Sequence, residues 1–208
     1  MRHFSVAPSL TVQGRTKKGL RGLSGKPFHP PLTDIPIAAY LFGAVFDVLS
    51  GALHSSHPAV AEQLYRAGTW TFLGGAAASV LAAITGWADW HRSSTPGTQA
   101  RRTANTHALT MVTVTVLTLA NLVLRLTAFH DHTSTPLGII VLSVVIAGLV
   151  SVGATFGGSL VYDYGFNVET AGDSPVWHAS EQDVFPGGHE PAPTPIETPL
   201  TAPLTQRH

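Results

Sequence analysis

Four segments of this chain carry almost no charge: Ile35 to Leu53, broken only by Asp47, then Ala67 to Ala88, Thr103 to Leu124 and Pro136 to Tyr162. Each is near or above the roughly 20 residues that carry a helix across the hydrocarbon of a bilayer. Lipid offers no partner for backbone N–H and C=O groups, so segments of this kind cross as helices that satisfy their own hydrogen bonds. The expected fold class is an all-α membrane protein, a four-transmembrane-helix bundle with spans at about 35–53, 67–88, 103–126 and 137–162. With 44% apolar and only 12% charged residues, the composition fits that class rather than an ordinary soluble domain.

The charges that remain set the expected orientation. Arg2, Arg15, Lys17, Lys18, Arg21 and Lys26 precede the first acidic residue, Asp34, and Arg92, Arg101 and Arg102 lie between spans two and three. Of Lys and Arg, the other two connections hold only Arg66. By the positive-inside rule both termini face the cytoplasm, in a multi-pass protein of the cytoplasmic membrane. Residues 1–24 are read as a disordered basic arm, 25–168 as the transmembrane domain and 169–208 as a Pro-rich tail that resists packing. The arm suits anionic headgroups. Without interleaved aromatics it is not expected to bind nucleic acid. Met1 to Lys18 lacks the apolar core of a signal peptide, so the first span is expected to stay in the mature chain.

The chain has no cysteine, which removes disulfides, covalent haem attachment and thiolate-held metal centres. No phosphate-binding loop, dinucleotide fingerprint, serine elbow or His-Glu-x-x-His motif occurs, and the sequence gives no catalytic constellation. Any metal or cofactor would rely on the eleven histidines or on carboxylates.

Two groups of polar residues stand out against this background. Asp47 lies about two thirds of the way along span one, where an unpaired carboxylate costs several kcal/mol. In span three His107, Thr118, Asn121 and Arg125 recur at helical spacing and share one face. Asp47 and Arg125 approach the same leaflet, so they are expected to pair, with Asn121 joining them. Such a pair is read first as a clasp between helices and second as a gate or proton path.

The second group gathers at the cytoplasmic rim: His29, Asp34, Asp89, His91 and His107, with Trp87 and Trp90 as interfacial anchors. Pro36 is suited to the first turn of span one, with Asp34 as its cap. Neutral imidazole binds haem iron or a transition metal, and His29 and His107 are the candidate ligands, with Asp34 or Asp89 orienting a ring. The competing reading is capping and hydrogen bonding at a hydrated interface. His130-Asp131-His132, in the last connection, needs a further ligand from elsewhere to hold a metal.

Small residues repeat at four-residue spacing in Ala39, Gly43, Asp47 and Gly51, and again in Gly74, Ala78, Ala82 and Gly86, with Gly153 and Gly157 in span four. These stripes are read as faces on which helices pack closely.

Several blocks together carry a family likeness: His29-Pro30-Pro31-Leu32-Thr33-Asp34-Ile35-Pro36-Ile37 with Asp47, Thr85-Gly86-Trp87-Ala88-Asp89-Trp90, His107 with Leu124-Arg125, and Gly157-Gly158-Ser159-Leu160-Val161-Tyr162 with Gly165. Over residues 24 to 170 the chain resembles an uncharacterised bacterial family of four-helix membrane proteins, a domain of unknown function with a His-Pro-rich start. Lys26 stands where members commonly have the first of two His-Pro histidines. Some members are fused to a Rieske iron–sulfur domain, and Pro175 to Gly188 is similar to the way such a domain begins, although no cluster ligands follow. The resemblance implies the membrane part of a redox protein.

Three functional classes follow. The first is a non-enzymatic membrane anchor or accessory subunit in the lipid bilayer, associated with a membrane redox or respiratory partner or with further copies of itself. The second is a b-type haem or quinone-linked electron-transfer module using His29 and His107. The third is a small transporter or proton channel using Asp47 and Arg125.

Overall fold

The computed structural model describes residues 19–22 and 26–168. The expectations placed on the arm up to residue 18 and on the tail from residue 169, including the Rieske-like stretch, lie outside the described residues. The described chain forms four helices: α1 (His29–Leu53), α2 (Pro58–Ser93), α3 (Gln99–Leu126) and α4 (Leu137–Tyr162). Three of them run beyond the apolar segments that mark them in the sequence. At 1.5 Å per residue the 36 residues of α2 measure about 54 Å, well over the hydrocarbon thickness, so its ends project past it.

The start of α1 differs from the sequence expectation. The helix begins at His29, with proline in its first turn, where a backbone N–H would have had no intrahelical partner. Phe28 occupies the N-cap position, without a side-chain cap, and Asp34 is an exposed residue further along the helix rather than its cap. Pro36 sits inside the helix and is fully buried. Proline at both Pro30 and Pro31 is compatible with a helix start for the same reason that favours Pro36 there, and the chain uses the earlier pair.

Helix α1 packs along α2 and α4, and α3 packs along α4 and α2, so α1 and α3 occupy one diagonal of the bundle and α2 and α4 the other. Its centre is apolar and aromatic. Tyr40 stacks on Phe72 with ring centroids 5.6 Å apart, and Val114, Leu122, Ile146 and Val150 complete the cluster. Close approach depends on glycine. A β-carbon on Gly43 would lie 2.6 Å from the Phe72 ring, and one on Gly75 would lie 2.8 Å from both Ala39 and the Tyr40 ring. Gly74, assigned to this seam in the sequence reading, meets nothing within 4 Å, because the packing face of α2 runs one residue further on.

Outside, the bundle is apolar. Leu109, Val112, Val116, Leu119 and Val123 of α3 are each more than half exposed, while Thr118, Asn121 and Arg125 of the same helix are buried. A soluble monomer does not expose so continuous an apolar band while burying charged and polar side chains. All four helices are long and apolar enough to cross a membrane. Lipid as the solvent explains both the outer band and the buried polar groups.

Candidate functional site

The α1–α3 diagonal is bridged at both ends. At the end near the long α3–α4 loop, Arg125 of α3 forms an ion pair with Asp47 of α1, and both side chains are wholly shielded. The carboxylate also accepts from Ser143 Oγ at 2.6 Å and from Thr135 Oγ1 at 3.1 Å. The guanidinium donates through Nε to Asn121 Oδ1 and through Nη1 to Thr69 Oγ1 at 3.1 Å. Asn121 in turn donates to Ser143 Oγ at 3.0 Å. Each charge therefore has an opposite charge and several hydrogen bonds, which buried ions need to offset their lost hydration.

The backbone makes room for this pair. A β-carbon on Gly68 would stand 3.1 Å from Asp47 Oδ1, so glycine lets α2 lie directly against the carboxylate. The α3–α4 loop is tied down over it: Thr135 N–H donates to Ser50 Oγ at 3.0 Å, and Tyr65 OH donates to the Phe129 carbonyl at 2.9 Å.

At the opposite end His29 of α1 and His107 of α3 meet across the same diagonal. Their ring centroids are 6.4 Å apart and the ring planes stand at 82°. His29 Nδ1 lies 2.9 Å from the Ala82 carbonyl of α2 and 3.3 Å from Thr85 Oγ1. His107 Nδ1 lies 2.8 Å from the Gly153 carbonyl of α4. A carbonyl only accepts, so in each ring Nδ1 carries a proton and donates it. Glycines seat both rings: a β-carbon on Gly86 would lie 2.7 Å from His29 Cε1, and one on Gly157 would lie 3.3 Å from His107 Cε1.

The other residues grouped with these histidines in the sequence are not drawn in to the same degree. Asp89 is buried on α2, one turn beyond Thr85. His91 is exposed and stacks on Trp87, with centroids 5.6 Å apart, and Asp34 points from the outer surface of α1. Helical phase separates them: Asp89 and His91, two residues apart, fall on opposed sides of α2. His130 pairs with Asp131 at 2.9 Å on the exposed loop. No group of three or more His, Cys, Asp or Glu among the described residues is placed to hold a metal ion.

Sequence reasoning did not reach Thr69, Thr135 or Ser143, which complete the ion-pair network, nor the Tyr40 hydroxyl, which lies 2.7 Å from Ser79 Oγ at mid-bundle. The only signal for Ser143 is a single hydroxyl in the apolar run Ile139 to Ile146.

Fold and interior together define a four-span integral membrane protein with an apolar exterior and polar bridges inside. The chain belongs to the family described as predicted membrane protein (DUF2231), which matches residues 25–170. No curated protein and no solved structure matches it.

Proposed function

We propose that this protein is a membrane-integral electron-transfer module that holds a b-type haem between His29 and His107. The observation that carries the reading is the paired imidazoles, one from each helix of a diagonal, each with Nδ1 fixed by a backbone carbonyl of a flanking helix. A ring whose Nδ1 donates to a carbonyl would present Nε2 to a metal, and that hydrogen bond orients the ring, as in metal-binding histidines. His29 and His107, with ring centroids 6.4 Å apart, would hold the group between α1 and α3.

The size of the ligand set favours haem over a bare ion. A zinc-like ion asks for three or four protein ligands. A porphyrin brings four nitrogens of its own, so two histidines suffice. Bound there, haem would supply one-electron transfer close to one membrane face. The positive-inside distribution of Arg92, Arg101 and Arg102 supports placing that face, and both ends of the chain, on the cytoplasmic side of the cell membrane.

Purification in mild detergent from haem-replete cells tests the reading. The expected result is a Soret band and a pyridine haemochrome, both lost in His29→Ala and His107→Ala and retained in His91→Ala. A folded, colourless wild-type protein overturns it and leaves the bundle as an anchor or accessory subunit.

A further inference from the structure

The connection between α2 and α3 carries three guanidiniums and no carboxylate to neutralise them. Arg92 lies in the last turn of α2, Arg101 and Arg102 open α3, and no Asp or Glu occurs between Asp89 and Asp131. Arg92 is exposed, with no hydrogen bond or ion pair among the described residues. Arg102 donates through Nε and Nη2 to Gln99 Oε1, at 2.9 and 2.7 Å, which orients the side chain but cancels no charge. We propose that this rim is a docking site for the phosphodiester of an anionic phospholipid of the phosphatidylglycerol type, a function separate from cofactor binding.

Arg101 gives the site its geometry. Its guanidinium lies 3.5 Å over the Trp90 ring, and Trp90 is itself held in place because its Nε1–H donates to Asn105 Oδ1 at 2.7 Å. Nη1 of Arg101 is turned inward, donating to the Trp90 carbonyl at 3.1 Å and to Ser94 Oγ. The other edge, Nε with Nη2, has no partner among the described residues. That edge is a fork able to grip two phosphate oxygens at once.

The alternative is that the three arginines only fasten the connection and complement the helix ends. Arg92 does suit the carbonyl end of α2. Arg101 and Arg102 do not fit that account, because they stand in the first turn of α3, at the positive end of its dipole and with no acidic residue in that turn. An anion from outside the chain relieves this repulsion. At the far end of the bundle the chain supplies its own anion, and there Arg66 pairs with Glu62 at 2.7 Å.

Depth selects lipid as the source of the anion. Trp87 is 64% exposed on the outside of the bundle and stacks with His91, as amphipathic rings do where acyl chains give way to headgroups. Arg92 lies five residues further along α2, about 7.5 Å of rise, which brings it to the level of the phosphates. Phosphatidylglycerol offers a net negative charge at that level, whereas the ammonium of phosphatidylethanolamine meets three charges of its own sign.

The test titrates full-length protein in neutral detergent with phosphatidylglycerol and with phosphatidylethanolamine of the same acyl chains, counting bound lipid by native mass spectrometry. The expected preference for phosphatidylglycerol is about twentyfold, and Arg92→Gln lowers it about fivefold. Arg92→Gln combined with Arg101→Gln removes it, while Arg66→Gln at the other end leaves it unchanged. Should the double variant fail to fold, Arg92→Gln decides alone, since that side chain is exposed and holds no described partner. Equal affinity for the two lipids, a preference that Arg92→Gln does not lower, or an equal loss in Arg66→Gln overturns the proposal. So does displacement of the lipid by an equal concentration of soluble glycerophosphoglycerol, which would make this a site for a free phosphodiester. Neither His29 nor His107 takes part, so the result stands or falls apart from the absorption spectrum.

Discussion

Asp47 and Arg125 stand on diagonally opposed helices, yet they form one ion pair inside the bundle, from which both water and lipid are excluded. Neither residue is tolerable there alone. The pair therefore couples the position of α1 to that of α3, which share no backbone contact surface, while Thr69 and Ser143 fasten α2 and α4 to the same centre.

The first prediction concerns this coupling. Asp47→Asn and Arg125→Gln should each lower stability by about 3–5 kcal/mol, because each leaves an uncompensated buried charge. The double variant Asp47→Leu with Arg125→Met should lose far less than the sum. Denaturant unfolding in detergent, arranged as a double-mutant cycle, measures the difference; additive losses would show that the two side chains act independently.

Two adjacent glycines offer a sharper test of the packing. Gly75→Ala should destabilise by about 1–3 kcal/mol, since its β-carbon would meet Ala39 and Tyr40 at 2.8 Å. Gly74→Ala meets nothing and should be neutral or stabilising by up to about 1 kcal/mol through helix propensity. Thermal unfolding of both variants checks the order, and equal effects would contradict the observed face of α2.

At the histidine end the seats of the two rings differ in tightness. Gly86→Ala places a methyl group 2.7 Å from the His29 ring and, where haem is held as proposed, should weaken its affinity about tenfold or more by turning that ring. Gly157→Ala, with 3.3 Å to His107, should weaken it less. Haem titration gives the affinities, and imidazole nitrogen resonances report the displacement of His29 directly.

Beyond the bundle core, Arg101 lies 3.5 Å over the Trp90 ring and donates to the Trp90 carbonyl at 3.1 Å, closing the α2–α3 connection. Arg101→Lys keeps the charge but loses the flat stacking surface, and should cost about 0.5–1 kcal/mol. A melting temperature indistinguishable from wild type would rule out this role for the stack.

Much of the fold is legible in the sequence because lipid imposes a simple rule: a long uncharged segment must cross as a helix. The inward face of α3 is legible for a related reason, since Thr118, Asn121 and Arg125 repeat at helical spacing and polar groups avoid lipid. The start of α1 is less so. Pro30, Pro31 and Pro36 all satisfy the local rule for a first turn, and local chemistry does not choose among them. The seam through Gly75 rather than Gly74 escapes a spacing argument for the same reason, because neighbouring small residues give two nearly equivalent stripes.

What the chain alone determined is the membrane as solvent, the number of crossings and the presence of charges that could not remain unpaired within them. Tertiary structure decided the partners. Which helices share a diagonal, and how each is rotated, brings His107 rather than His91 against His29 and gathers Thr69, Thr135 and Ser143 around Asp47. These are contacts between residues far apart in the chain, and they depend on how four packed helices fit together, which no single helix encodes.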